Sequence, residues 1–232
     1  MSQFYVEQHR DFGLGNFINC TPTIRGLFHH YGKVNVLFQS EYVKQCYLES
    51  DIINIIEEPT GRRLFGSDMI NQQKPDYIYI QEQILGTTGW EPFIDKCYAI
   101  GGDYGVFING SGNQSKAYCD AKCVGEDVQE LVQRISPVKV IGVGSNEDKE
   151  RNIFDGYYGN IRDALSYIRG ARFVISNDTG LYHAAGVFKK DQLVLWKNTN
   201  LEKNRNTNAK CVYAKQHQWK ESIQRFLSRF SA

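Results

Sequence analysis

Long apolar runs and an excess of charge of one sign are both missing from this 232-residue chain. No apolar stretch approaches the length of a membrane span. The 27 basic and 26 acidic residues leave a formal net charge of +1, which gives no overall field for nucleic acid or an anionic membrane. Because the first residues lack a basic region followed by an apolar core, we expect a cytoplasmic protein.

Metal-binding and cofactor-binding motifs are also missing. The six cysteines have neither a CxxC nor a Cys-His zinc spacing, so we predict no disulfide framework and no metal site. A dinucleotide fingerprint fails because Ile18 stands where a third glycine is required after Gly13 and Gly15. The loop before Lys116 is not a Walker A loop, since Ser115 stands at its last glycine position. We therefore expect no cofactor.

Short apolar runs alternate with segments of helical periodicity. The apolar runs cover 4–10, 33–38, 51–56, 76–80, 104–109, 138–144, 172–175 and 192–196, and the helical segments cover 41–48, 127–135, 160–169 and 219–230. This alternation predicts an α/β fold with a mostly parallel sheet, in which ligands bind beyond the carboxyl ends of the strands. Gly101 and Gly102 indicate a hinge, after which the pattern starts again.

The stretch 176–186 predicts a strand end, a tight turn and a helix start. A Ser-Asn-Asp-Thr-Gly corner separates an apolar run from small and apolar residues at helical spacing. The first amides of such a helix lack intrahelical partners, and Gly180 lets a ligand approach the backbone, so a phosphate could bind there. Alternatively, Asn177 or Asp178 merely caps the helix. The local residues leave both interpretations open.

The loop 110–116 is a second candidate for phosphate binding. It is rich in glycine and serine and ends in a lysine. Main-chain amides around Ser111, Gly112 and Ser115 can wrap a diphosphate while Lys116 supplies a point charge. The alternative is that Lys116 is an ordinary solvated lysine.

Two motifs in the same order resemble a known family. Residues 176–186 are similar to a D-[ST]-G-x-x-H-x-A-A signature, and residues 13–27 are similar to G-x-G-D-x-x-x-x-T-P-x-L-R-x-L. Both are typical of the heptosyltransferases, the inverting glycosyltransferases of family nine. The resemblance implies a GT-B fold, with two Rossmann-like domains facing each other across a cleft. The implied domains are an acceptor-side domain at 1–100, a donor-binding domain at 101–215 and a terminal helix at 216–232 that packs back across both.

The resemblance also implies a reaction. A sugar, heptose or a related one, would pass from a nucleotide-diphosphate donor to a saccharide or other hydroxyl acceptor with inversion. The chain contains no DxD motif, with which glycosyltransferases of the other major fold hold a metal ion. Amides and a lysine would then stabilise the departing diphosphate without a metal.

The resemblance assigns roles to individual residues. Lys116 would contact the donor diphosphate, Asp178 would bond sugar hydroxyls, and Glu147 would bond the ribose or else belong to a solvated helix start. His183 would touch the ligand or brace the Asp178 turn. The predicted donor-binding residues are Gly15, Ser111, Gly112, Ser115, Lys116, Glu147, Asp178, Thr179, Gly180 and His183, and the predicted catalytic residues are Asp11, Asn16 and Lys116.

Asn16 departs from the family motif, which has an aspartate there, thought to be the base for the acceptor proton. An asparagine cannot serve as that base. Asp11 or His9 in the same loop could replace it, the acceptor could be acidic enough to need no base, or the chain could bind a nucleotide sugar without transferring it. We favour a base in the loop. Transfer to nucleic acid or protein is a further alternative, which the net charge neither demands nor forbids.

Overall fold

The computed structural model describes residues 4–68, 91–95, 97–110, 116–197, 205–206 and 208–231. The chain divides into two compact units, Met1–Lys96 and Cys97–Ala232. Each unit contains a parallel sheet with interleaved helices, which confirms the predicted α/β class. The strand predicted at 76–80 lies outside the described residues.

The first unit contains a four-stranded parallel sheet in the order β3-β2-β1-β4. Its elements are β1 (Phe4–Gln8), α1 (Leu14–Tyr31), β2 (Val34–Phe38), α2 (Glu41–Lys44), a 3-10 turn (Gln45–Tyr47), β3 (Ile53–Ile56) and β4 (Arg62–Gly66). Helix α1 begins earlier than the sequence suggests, so Gly15 lies in its first turn and not in the preceding loop.

Pro22 lies inside α1, well beyond the first helical turn, where a missing amide hydrogen would cost nothing. A proline there leaves the carbonyl four residues earlier, that of Ile18, without its helical donor. The Thr21 hydroxyl donates to this carbonyl instead, at 2.7 Å. The Thr21 hydroxyl oxygen also accepts a hydrogen bond from the Phe93 amide at 2.9 Å. Thr21 therefore keeps the helix continuous and fixes segment 91–95 against it.

The second unit contains a six-stranded parallel sheet in the order β10-β9-β8-β5-β6-β7. Its elements are β5 (Tyr104–Ile108), α3 (Lys116–Lys122), α4 (Glu126–Ile135), β6 (Lys139–Gly144), a 3-10 helix (Asn146–Arg151), β7 (Gly156–Tyr158), α5 (Ile161–Gly170), β8 (Phe173–Ser176), α6 (Gly180–Val187), β9 (Asp191–Trp196), β10 (Cys211–Lys215), a 3-10 turn (Gln216–Gln218) and α7 (Trp219–Ser228). No helix in the described ranges is both long and apolar enough to cross a membrane.

Helix α7 belongs to the core of the second unit. Its residues Trp219, Ile223 and Phe226 are buried with strand residues of the sheet. The Phe173 ring of β8 lies 5.8 Å from that of Phe226, and the Trp219 indole donates to the Ala214 carbonyl at 3.0 Å. The predicted packing of this helix across both domains stays a prediction.

Candidate functional site

The second sheet reverses its direction of growth between β5 and β8. From β5 the chain adds β6 and β7 on one side, and then crosses to place β8, β9 and β10 on the other side of β5. In open α/β sheets, ligands bind beyond the carboxyl ends of the strands at such a switch point, which here lies between β5 and β8. The residues that follow the two strands are Asn109, Gly110, Asn177, Asp178 and Thr179.

Asn177 ties the two loops together. Its side-chain nitrogen donates to the Gly110 carbonyl at 2.9 Å, and its side-chain oxygen accepts from the Gly110 amide at 3.4 Å. Its own amide donates to the Ile108 carbonyl at 3.0 Å. Asn177 is fully buried. The sequence suggested it as a possible helix cap, but its side chain instead joins the residues that follow β5 and β8.

Asn109, directly after β5, is fixed by hydrogen bonds to Val124 and Arg151. Its side-chain nitrogen donates to the carbonyls of Val124 (3.0 Å) and Arg151 (2.8 Å), and its side-chain oxygen accepts from the Val124 amide (2.8 Å). The buried Asp148 carboxylate lies against Gly110, so that a Cβ at position 110 would collide with it. Neither Asn109 nor Asp148 was assigned a role from the sequence, where only the place of Asn109 at a strand end hinted at one.

The start of α6 follows the carboxyl end of β8. Thr179 is the N-cap residue, and among the described residues its side chain makes no capping hydrogen bond. Thr179 and Gly180 are half-buried. Since helix N-termini carry partial positive charge and unpaired amides, this end of α6 suits an anion.

Asp178 forms a buried ion pair with Lys122, the last residue of α3. The Lys122 Nζ atom lies 3.0 Å from Asp178 Oδ2 and donates to the Asp178 carbonyl at 3.3 Å. Only 11% of the lysine side chain and 9% of the aspartate side chain are exposed. Sequence reasoning missed Lys122, because nothing in its neighbourhood distinguishes it from a solvated lysine.

His183 lies one turn into α6 and is buried. Burial lowers its pKa to about 4, with the Asp178 charge opposing the shift and the Lys122 charge adding to it. Among the described residues, its Nδ1 atom has no hydrogen-bond partner. The imidazole is therefore neutral at pH 7 and keeps a polar atom for a ligand or a water molecule.

The other predicted donor-site residues lie in different elements or outside the described part of the chain. Lys116 is the first residue of α3, whereas Ser111, Gly112 and Ser115 lie outside the described residues. Glu147 is exposed in the 3-10 helix 146–151, where a hydrogen bond from its own amide and one from the Ser145 hydroxyl lower its pKa. This is the helix-start environment that the sequence left open, and a ribose contact by Glu147 stays a prediction.

The candidate base residues meet at the carboxyl end of β1 in the first unit. Asp11 lies in the turn after this strand, 72% exposed, with its Oδ2 atom 3.6 Å from the Nδ1 atom of His9. The Asp11 amide also donates to His9 Nδ1 at 3.4 Å. Asn16 is half-buried in the first turn of α1, and Gly15 beside it is buried.

Comparisons with known proteins identify the fold. No protein-family model matches the chain, and no curated protein does. The ADP-heptose LPS heptosyltransferase II of E. coli is 11% identical with a TM-score of 0.69, over 100% of both chains. E. coli heptosyltransferase WaaC with ADP is 11% identical with a TM-score of 0.70, over 97% of this chain and 99% of that one. A glycosyl transferase family 9 protein from Veillonella parvula is 12% identical with a TM-score of 0.69, over 99% and 98%. The chain therefore has the heptosyltransferase-like fold of glycosyltransferase family nine.

Proposed function

We propose that this chain is a family-nine glycosyltransferase that moves a sugar from a nucleoside-diphosphate donor to a hydroxyl acceptor with inversion. The observation that carries the proposal is the meeting of the open start of α6, the Asp178–Lys122 pair and the neutral His183 at the switch point of the second sheet. The similarity to structures named as heptosyltransferases, one of them with ADP, supports the same donor class.

The donor diphosphate would be bound without a metal ion. Main-chain amides at the start of α6 and in the 110–115 loop, together with Lys116, would stabilise the charge that develops on the departing diphosphate. Such fixed dipoles act more strongly in a water-poor crevice than in bulk water. Asp178 would bond hydroxyls of the transferred sugar.

Asp11 is the base that we propose for the acceptor. The acceptor oxygen attacks the anomeric carbon on the face opposite the diphosphate, the bond from that carbon to the diphosphate breaks, and the Asp11 carboxylate takes the acceptor proton. His9 is the weaker candidate because its Nδ1 atom already accepts a hydrogen bond from the Asp11 amide.

A panel of nucleoside diphosphates in a thermal-shift assay tests the donor site. A bound ligand stabilises the fold by about 2.7 kcal/mol at a concentration of 100 Kd. We expect one nucleoside diphosphate to raise the Tm of the wild type and of Lys139→Ala, a control at the opposite, amino end of β6. The shift should be lost in Lys116→Ala. A wild type that no member of the panel stabilises would contradict the proposal.

A transfer assay tests the base. Asp11→Asn should lower turnover by about 100-fold or more while it leaves the donor-induced shift intact, because general-base catalysis contributes on that order. Unchanged turnover in this variant would move the role to another group.

Asn16 favours a second candidate function, binding of a nucleotide sugar without transfer. Its amide cannot take a proton, and it stands where family members have an aspartate. Wild-type protein that binds donors but turns over none across a broad set of saccharide, nucleic-acid and protein acceptors would support this alternative.

A further inference from the structure

The Asp178 carboxylate presents an electrostatic problem for the proposed donor site. Asp178 directly precedes the N-cap of α6, the helix start that we expect to bind a diphosphate. A carboxylate at this point would repel the phosphate groups and would compete with them for the helix amides. A site for an anionic donor thus needs a positive charge that offsets the Asp178 carboxylate.

Lys122 lies where it can supply this positive charge. Its ammonium lies within hydrogen-bond distance of both the side-chain carboxylate and the main-chain carbonyl of Asp178, at 3.0 and 3.3 Å. Its own carbonyl accepts a hydrogen bond from the Asn177 side chain at 3.4 Å. The end of α3 and the corner before α6 are therefore held together by both charge and main-chain contacts.

We propose that Lys122 is a positioning residue of the donor site, which anchors and neutralises the Asp178 carboxylate so that the start of α6 accepts a diphosphate. This inference rests on the function proposed above. Lys122 acts through Asp178 and not by contact with the phosphates, since most of its side chain is buried and its ammonium is already engaged by two Asp178 oxygens. Lys116, the first residue of α3, is the lysine proposed above to contact the diphosphate directly.

Inorganic diphosphate binds only through its phosphate groups, whereas ADP also makes contacts through its nucleoside. Comparing the two ligands therefore separates binding of the diphosphate from contacts to the rest of a donor. Affinities for ADP and for inorganic diphosphate are measured by calorimetry on the wild type, Lys122→Met, Asp178→Asn and the double variant. Lys190→Met is the matched control, a partly buried lysine before β9 whose Nζ atom donates to the Ala171 carbonyl at 2.6 Å. It should bind both ligands like the wild type.

Lys122→Met should weaken both ligands by about tenfold or more, because the carboxylate loses its buried counter-charge. The double variant, in which both charges are removed, should bind inorganic diphosphate within about threefold of the wild type. A lysine with a purely structural role would not be rescued by Asp178→Asn. A double variant as weak as Lys122→Met, or a Lys122→Met protein with wild-type affinity, would overturn the inference.

Asp178→Asn alone gives an independent answer if Lys122→Met fails to fold. With the acidic charge removed and the ammonium kept, inorganic diphosphate should bind at least as tightly as in the wild type. Tenfold weaker binding in this variant would also overturn the inference. A wild type that binds no nucleoside diphosphate would instead refute the proposed function, so the two failures are distinguishable.

Discussion

At the residue scale, the buried polar side chains of Thr21 and His183 affect the stability of the fold. Thr21 satisfies two buried main-chain groups, the carbonyl that Pro22 leaves open and the amide of Phe93. The Thr-Pro pair in the resembled motif thus has a physical reason, since the threonine repairs the helix that the proline would interrupt.

Thr21→Val should lower the free energy of unfolding by about 2–4 kcal/mol, because an isosteric methyl group leaves both buried partners unsatisfied. Thr21→Ser, which keeps the hydroxyl and loses a methyl group, should cost about 1 kcal/mol. Denaturant unfolding of both variants measures the difference. Equal losses in the two variants would show that packing, and not the hydroxyl, is what matters.

His183 should make stability depend on pH. In the unfolded chain an imidazole binds a proton below about pH 6.5, whereas in the folded chain the pKa of His183 is about 4. Stability from the neutral ring is therefore present above pH 6.5 and is lost as the pH falls toward 4, by an amount on the order of 3 kcal/mol. Unfolding of His183→Gln between pH 7 and pH 4 should show a smaller loss than the wild type. The same slope in both proteins would contradict this assignment.

The residues of the site differ in how far the sequence reveals them. The corner 176–180 could be found because strand, turn and helix signals meet there. Lys122 could not be found, since its partner Asp178 lies far away in the chain and only the fold brings them together. For the same reason, the sequence could not decide whether Asn177 caps a helix or, as observed, bridges two loops.

At the level of elements, strands with a continuous apolar run were predictable, including the short edge strand β3, and strands without one were not. Strands β5, β6, β8 and β9 follow buried apolar runs, which the periodicity indicates directly. The edge strands β4, β7 and β10 were missed, because partly exposed strands carry polar residues and glycine and give no continuous apolar signal.

Gly105 of β5 packs closely against the Phe173 ring of β8. A Cβ at this position would collide with the ring of Phe173, which is fully buried and packs against Phe226 and Phe230. Gly105→Ala should therefore destabilise the second unit by about 1–3 kcal/mol through overpacking.

The matched control for this glycine is Gly101→Ala. Nothing lies within 4 Å of a Cβ at position 101. The change should alter stability by less than about 0.5 kcal/mol in thermal or denaturant unfolding. A Gly105→Ala protein as stable as this control would show that the sheet can shift to accept the methyl group.

The whole molecule combines two units with different parts of the proposed chemistry. The first unit carries Asp11 and Asn16 after β1, and the second carries the switch point between β5 and β8. Fold similarity to heptosyltransferases persists at 11–12% identity, because an α/β pattern of apolar strands and amphipathic helices survives extensive substitution. Acceptor recognition depends on individual surface side chains, which neither the pattern nor the fold determines.

The central claim, that main-chain amides at the start of α6 bind a diphosphate, is tested most directly by amide hydrogen exchange. The nucleoside diphosphate that stabilises the chain most is compared at saturation with its nucleoside, which lacks the phosphates. The diphosphate should slow exchange at Gly180 and Leu181, and the nucleoside should not, because only the phosphates would engage these amides. Tight binding of the diphosphate with unchanged exchange at both residues would contradict the account.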